Sequence, residues 1–462
     1  MVFSAFEFIF VFLPGAWVAY WLAARVLGMK WAVGILATMS VVFYSQWKVD
    51  HVAVLLVSVC VNYYFSQRLG PDRAASRLCL GIGLSLNLLA LFWFKYAVFA
   101  STIGVQLGLW RTPLMAQALP LGISFFTFTQ ITYLVDRHKG IAPPTTFPRF
   151  LLFVSFFPHL IAGPVLHHAQ MMPQFETNRL SLEKFCGGLH IFAIGLAKKC
   201  IIADSVAPLA EAGFAQAATL NGHFAWIVLL AYAVQLYFDF SGYSDMAVGL
   251  GRLFGIELPW NFLSPYKATS VVEFWRRWHI TLSNFLREYI YIPLGGSRCG
   301  VPRGSANLLV TMFAAGVWHG AGWTFAAWGA LHGVALTACH LWQRQERFRL
   351  PDWAGWVLTL ATVLPGWVLF RCRTTQDAGA MLAGLLSPTE GLPWEVDRQL
   401  GRCGFYLLLG ILLVLFCPNT RRLAETFRPN GWRTAWTSGL LALAVVYELA
   451  RGADPTFLYF DF

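Results

Sequence analysis

Long apolar runs, set off by short charged or Pro/Gly-bearing stretches, recur along the whole chain. A helix that crosses roughly 30 Å of hydrocarbon needs about 20 mostly apolar residues. Runs of that kind occupy 8–26, 31–47, 52–65, 78–100, 119–135 and 151–166, and then 185–202, 224–240, 308–317, 323–342, 353–370, 405–417 and 440–449. Several are too short to span alone, which predicts re-entrant, tilted or interfacial pieces and roughly 11 to 13 membrane segments in all. The fold class expected is therefore an all-α polytopic membrane protein. No internal repeat and no low-complexity linker divides the chain, so residues 1–462 read as one domain.

Composition agrees with the pattern. Hydrophobic residues make up 57% of the 462 and charged residues 12%, against about 25% charged in a soluble globular protein, and mean hydropathy is +0.57. Such a chain has no reason to stay disordered in water. The 34 Lys and Arg exceed the 23 Asp and Glu by 11; in a membrane protein that excess belongs to cytoplasmic loops and anionic lipid, not to nucleic acid. Basic loops carrying Arg68, Asp72, Arg73 and Arg77, and then Arg137, His138, Lys139 and Arg149, would be cytoplasmic, with the N-terminus outside. Residues 1–15 lack the basic start and small-residue cleavage site of a signal peptide, so they are expected to stay as the first spanning helix. The nine cysteines form no CxxC and no zinc-type Cys/His spacing, so neither a disulfide framework nor a metal site is expected.

Between about residues 235 and 345 polar, charged and glycine residues become dense, and the chemistry is expected there. Asp239, Ser241, Tyr243, Ser244 and Asp245 surround Gly242. They read either as caps where a helix breaks at Gly242 or as functional polarity at membrane depth. Residues 273–289 read as one helix with Trp275, Trp278, Leu282, Phe285 and Tyr289 on an apolar face and Arg276, Ser283 and Arg287 opposite. Such a helix would lie along the interface, its arginines at headgroups or at substrate. His279 falls on the apolar face, as a core residue or a group facing a cavity. His319, enclosed by Gly316, Gly320 and Gly322, is a candidate general base for a hydroxyl, whereas His332 and His340 read as packing or interface residues.

At Arg276-Arg277-Trp278-His279, Tyr291-Ile-Pro-Leu-Gly-Gly296 and Trp318-His319-Gly320 the chain resembles the membrane-bound O-acyltransferase family, in its bacterial alginate and exopolysaccharide acetylation branch. Further matching pieces are Val2-Phe-Ser4, Leu121-Gly-Ile-Ser-Phe-Phe-Thr-Phe128, Phe157-Pro-His-Leu-Ile-Ala-Gly-Pro164, Tyr237-Phe-Asp-Phe-Ser-Gly-Tyr-Ser-Asp245 and Phe457-Leu-Tyr-Phe-Asp-Phe462. The resemblance implies a helical bundle around a central funnel, with His319 catalytic and His279 a second important histidine. Trp318, Asp239, Tyr243, Asp245, Arg276 and Arg277 are expected to contact substrate. It further implies a bacterial inner-membrane acetyltransferase with no permanently bound cofactor, fed by acetyl-CoA or an acylated carrier protein. Expected partners are a periplasmic SGNH-like acetyltransferase and polysaccharide synthesis and export proteins. Alginate or cellulose is the acceptor expected first, with peptidoglycan or teichoic acid as alternatives. A transporter or scaffold subunit is the non-enzymatic alternative, although no paired hydrophobic halves with matching interruptions suggest inverted repeats.

Overall fold

The computed structural model describes residues 2–71, 75–115, 118–177, 180–345, 350–389, 394–451 and 458, and every regular element among them is helical. Asp72 and Arg73 of the first basic loop lie outside the described residues, as does the terminal motif apart from Leu458. Seven helices among the described residues are long and apolar enough to cross a membrane: Phe8–Val26, Val49–Ser66, Ser76–Gln106, Leu182–Phe214, Gly222–Leu253, Asp352–Arg371 and Trp394–Phe416. Met29–Ser45 is a shorter apolar companion. Other apolar runs sit in less apolar helices, such as Val301–His319 and Trp323–Arg344, or fold as short pieces. The run at 151–166, for example, becomes Phe147–Ser155 and Phe157–Leu160.

Leu182–Phe214 and Gly222–Leu253 form the centre. The most apolar stretches of these two helices are 67% and 83% buried, against 17% for Ser76–Gln106 and Trp394–Phe416, whose apolar surfaces face outward. In lipid, helices associate by close packing and by small residues at the contact. A Cβ on Gly195 would stand 2.6 Å from the Gly242 carbonyl oxygen, and one on Gly242 would stand 2.8 Å from that of Gly195. Gly242 therefore marks a crossing between two backbones. The Gly222–Leu253 helix runs through it unbroken, and Ser241 and Asp245 sit inside that helix, not at a cap.

The opposite correction applies to residues 273–289. Instead of one interfacial helix they form Val271–Arg277, an extended Trp278, and Ile280–Leu286, followed by a π-turn at Arg287–Tyr291. His279 between the two helices is left-handed, at φ +43°. The freed backbone groups are met by a neighbouring strip: Leu263 N–H donates to Arg277 O (2.9 Å) and Ile280 N–H to Asn261 O (3.1 Å). Broken backbone at membrane depth persists only where protein satisfies it in this way. The burial expected of the apolar face holds for Trp275, Trp278, Leu282 and Phe285, whereas Tyr289 is only partly buried.

Candidate active site

His319 is the last residue of the Val301–His319 helix, whose final carbonyls need donors from elsewhere. Lys95 supplies them, its Nζ donating to Trp318 O (2.6 Å) and His319 O (2.9 Å), while Tyr96 Oη donates to Val317 O (3.0 Å). A cation at a helix C-terminus also complements the helix dipole. Beyond His319 the chain turns at Gly320, where a Cβ would lie 2.1 Å from the Phe325 ring, so the Trp-His-Gly sequence has a steric reason for its glycine. The His319 ring is buried and packs edge-on against Trp328 and Phe370, with centroids 5.2 and 5.1 Å away. Trp318 stacks on Phe128 at 5.1 Å, and its buried Nε1 has no hydrogen-bond acceptor among the described residues.

His279 approaches from the other side. The centroids of His279 and His319 are 6.5 Å apart, and Phe240 of the central helix packs edge-on against His279 at 4.8 Å. Asn261 sets the ring's protonation. Its Oδ1 accepts from the backbone N–H of Thr281 (3.2 Å) and from Thr281 Oγ1 (3.0 Å), and lies 3.3 Å from His279 Nδ1. A backbone N–H can only donate, so the shared Asn261 atom must be oxygen, and Nδ1 must carry the proton it shares with that oxygen. In the neutral ring Nε2 then holds a lone pair. It is buried and has no hydrogen-bond partner among the described residues. A left-handed non-glycine residue with an unsatisfied imidazole nitrogen is the kind of local cost that persists at functional sites.

Two cavities adjoin the histidine pair. His319, Trp318 and Lys95 line one of about 150 Å³, with Trp47, Ser124 and Phe125. It borders the N-terminal end of the Ile123–His138 helix, whose other end carries Arg137–Lys139. Toward that basic end, Ile280 and Thr281, which follow His279, line a cavity of about 290 Å³ with His167, Glu288 and Tyr289. A third cavity, of about 420 Å³, has Val272, Trp275, Met312 and Leu336 as apolar wall and Arg276, Arg287, Arg344 and His340 as polar rim. Trp275 packs on Trp328 at 5.7 Å, so a short aromatic wall separates that cavity from His319.

The structure brings His279, His319 and Trp318 together and places Arg276 at the rim of the 420 Å³ cavity. Arg277 instead pairs with Glu273 one turn back. Asp239, Tyr243 and Asp245 lie apart from all three cavities. Asp245 Oδ2 holds Lys198 Nζ (2.6 Å) and Thr420 Oγ1 (2.6 Å), Asp239 Oδ1 meets Lys199 Nζ (2.7 Å), and Tyr243 stacks on Phe3 (4.7 Å). Lys199 also reaches Asp204 at 2.6 Å. Both lysines sit in a π-turn, Lys198–Ala203, which swings two successive residues toward the neighbouring helix. Two neighbours of the histidines were not anticipated. Lys95 had a signal, a lone cation within the apolar run 78–100, whereas nothing in its sequence surroundings marks Asn261.

A model of the membrane-bound O-acyltransferase family matches residues 85–374. The chain is 37% identical to a peptidoglycan O-acetyltransferase of Helicobacter pylori, over 100% of this chain and 98% of that protein. It is 40% identical to a probable alginate O-acetylase of Pseudomonas aeruginosa, over 84% and 75% of the two chains. A teichoic acid D-alanyltransferase of Bacillus subtilis is 26% identical over 53% of this chain and 65% of its own.

Proposed function

Because this chain belongs to the membrane-bound O-acyltransferase family, we propose that it carries an acetyl group from a cytoplasmic thioester to the far side of the membrane for O-acetylation of an exported polysaccharide. The observation that carries the reading is the buried pair His279 and His319, 6.5 Å apart, with one cavity on the His319 side at the start of the Ile123–His138 helix and another beside the residues after His279, farther along that helix toward its basic end. Family membership makes the chain a membrane O-acyltransferase and sets aside the transporter and scaffold alternatives. By the positive-inside rule the Arg137–Lys139 end is cytoplasmic, in a bacterial inner membrane.

On that orientation the donor, acetyl-CoA or an acylated carrier protein, enters from the basic end. The guanidinium groups of Arg276, Arg287 and Arg344 suit its phosphates, and the apolar wall behind them suits the arm that bears the thioester. The hydroxyl acceptor comes through the Trp318–His319 cavity. His319 takes the hydroxyl proton as oxygen attacks the acyl carbonyl, a general-base contribution of about 10²- to 10⁴-fold. The C–S bond then breaks, and the donor's thiolate takes up that proton and leaves as free thiol. His279, with its lone pair at Nε2, accepts a hydrogen bond from the donor's amide or shares that proton; it donates to an oxyanion only once protonated. Holding the two reactants in line supplies the larger, orientational share of the rate.

The final destination of the acetyl group is an exported glycan, reached through the partner that receives it from this chain. The relatives' names include both alginate and peptidoglycan, and nothing in the cavity favours one of them. No Gly-x-Ser-x-Gly elbow occurs in the chain, so a periplasmic SGNH-like acetyltransferase completes the transfer onto polymer. The test is a His319→Ala allele in the source organism, with membrane abundance checked and base-labile acetate measured in secreted and wall polysaccharide. Loss of acetate from one fraction at constant abundance supports the reading and names the polymer. Unchanged acetate in every fraction overturns it.

A further inference from the structure

A second cluster of ligand-type side chains lies away from the histidine pair, at the basic end. Asp136, in the last turn of the Ile123–His138 helix, points one carboxylate oxygen, Oδ2, at three groups: Tyr289 Oη at 2.7 Å, His167 Nε2 at 2.6 Å and His168 Nδ1 at 3.3 Å. Asp136 and His168 are buried, and His167 is partly exposed. His168 Nδ1 has no hydrogen-bond partner among the described residues, although its side chain is 96% buried and faces the carboxylate. The ligand atoms of Asp136, His167 and His168 all lie within 4.8 Å of one another.

We propose that Asp136, His167 and His168 form a binding site for a divalent transition ion of the zinc class. Two imidazoles and a carboxylate are a nitrogen and oxygen set that such ions favour over the hard cations. Bonds of about 2.0–2.1 Å in a tetrahedral arrangement hold ligand atoms about 3.3 Å apart. His168 Nδ1 already stands at that distance from Asp136 Oδ2, and the partly exposed His167 ring has room to retreat from 2.6 Å. His167 Nδ1 now accepts from Ala169 N–H at 3.3 Å. Ligation through Nε2 would put the proton on Nδ1 and release that amide of an exposed residue to water. The frame is stiff at both ends: the Asp136 carbonyl is held by Ile141 N–H (2.8 Å), and His167 N–H donates to Gln170 Oε1 (3.1 Å).

Spacing along the chain hides this site, because Asp136 and the His167–His168 pair come from separate elements and no cysteine takes part. The ion would clamp the end of the Ile123–His138 helix to the 165–171 segment. Tyr289, bonded to Asp136, brings in the 287–291 turn as well. His167 and Tyr289 both line the 290 Å³ cavity, which leaves the fourth position for water.

The test needs no turnover. The full chain, purified in detergent and stripped with chelator, is equilibrated with Zn²⁺ alone or Co²⁺ alone, dialysed, and its metal content measured together with the visible absorption of Co²⁺. One ion per chain and a tetrahedral-type Co²⁺ spectrum are expected. Both should be lost in His168→Gln, and in the partly exposed His167→Ala in case the buried variant folds poorly, with Zn²⁺ affinity falling about 100-fold or more. Both variants are compared with wild type for monodisperse elution. Wild-type protein without bound ion overturns the proposal, and so does an ion retained by a monodisperse His167→Ala or His168→Gln variant.

Discussion

Asp239 and Asp245 of the Gly222–Leu253 helix each have a lysine within 2.7 Å. Phe240, on the same helix, packs against His279, whose Nε2 has no partner. Both regions place ionisable groups at membrane depth, and by residue type alone both read as functional. Pairing separates them. A buried carboxylate is tolerated when a charge and further hydrogen bonds meet it, and Asp245 has Lys198 together with Thr420. The histidine region is under-satisfied, with an unpartnered imidazole nitrogen, an unpartnered Trp318 Nε1 and a left-handed His279. In the first region each carboxylate is met by a lysine, and the pairs tie neighbouring helices together. The other leaves hydrogen-bonding capacity that only a ligand, water or a reacting group can take up.

The sharpest break in that comparison is removal of the base. His319→Ala should lower acetyl transfer about 10²- to 10⁴-fold while leaving the protein in the membrane, since the helix end stays capped by Lys95 and Tyr96. Next comes the paired region. Lys198→Met strands Asp245, and an uncompensated buried charge costs about 3–5 kcal/mol; it should appear as a loss of folded protein in thermal unfolding followed in detergent. Adding Asp245→Leu removes the stranded charge and should recover most of the folded protein, with transfer per folded molecule at the wild-type level. A well-folded double variant that transfers no acetate would return Asp245 to the chemistry and erase the distinction.

Between these extremes lies Asn261, which belongs to the under-satisfied region but acts through His279. Asn261→Ala leaves the buried Thr281 N–H without an acceptor and frees the His279 proton to move to Nε2. A loss of about 1–3 kcal/mol is expected, roughly 5- to 150-fold if all of it falls on the transfer rate. Asn261→Asp keeps an acceptor at the same place and should retain more activity than Asn261→Ala. Equal rates in the two variants would mean that the tautomer does not matter.

Much of this is legible in the sequence. The apolar runs announced a polytopic helical chain, and the glycines enclosing His319 singled it out as a candidate base. What escaped was partnership. Gly242 looks like a helix break along one chain, and only Gly195 opposite turns it into a crossing. The true break, at Trp278–His279, carries no glycine or proline, because it is stabilised from residues 261–263, a segment with no helical pattern. Asp239 and Asp245 seemed available for substrate because their lysines lie some 40 residues earlier in the chain, at the end of another apolar run. Periodicity reports which face is buried, and it is silent on what that face meets.

The adjacent arginines reproduce the comparison on a small scale. Arg277 pairs with Glu273, and both side chains are about a third exposed (33% and 30%). A pair at that exposure contributes about 0.2–1 kcal/mol after solvent screening, so Arg277→Gln should barely move stability or kinetics. Arg276 is exposed at the rim of the 420 Å³ cavity beside Arg287 and Arg344. If those guanidinium groups receive the donor's phosphates, Arg276→Gln should raise KM for the thioester with kcat nearly unchanged, because the phosphates bind equally in ground and transition states. Steady-state kinetics in membranes, with donor varied at saturating acceptor, separates the two residues. A kcat loss in Arg276→Gln at unchanged KM would move that arginine out of donor binding and toward the reacting groups, and an equal KM rise in both variants would show that pairing with Glu273 does not set Arg277 apart.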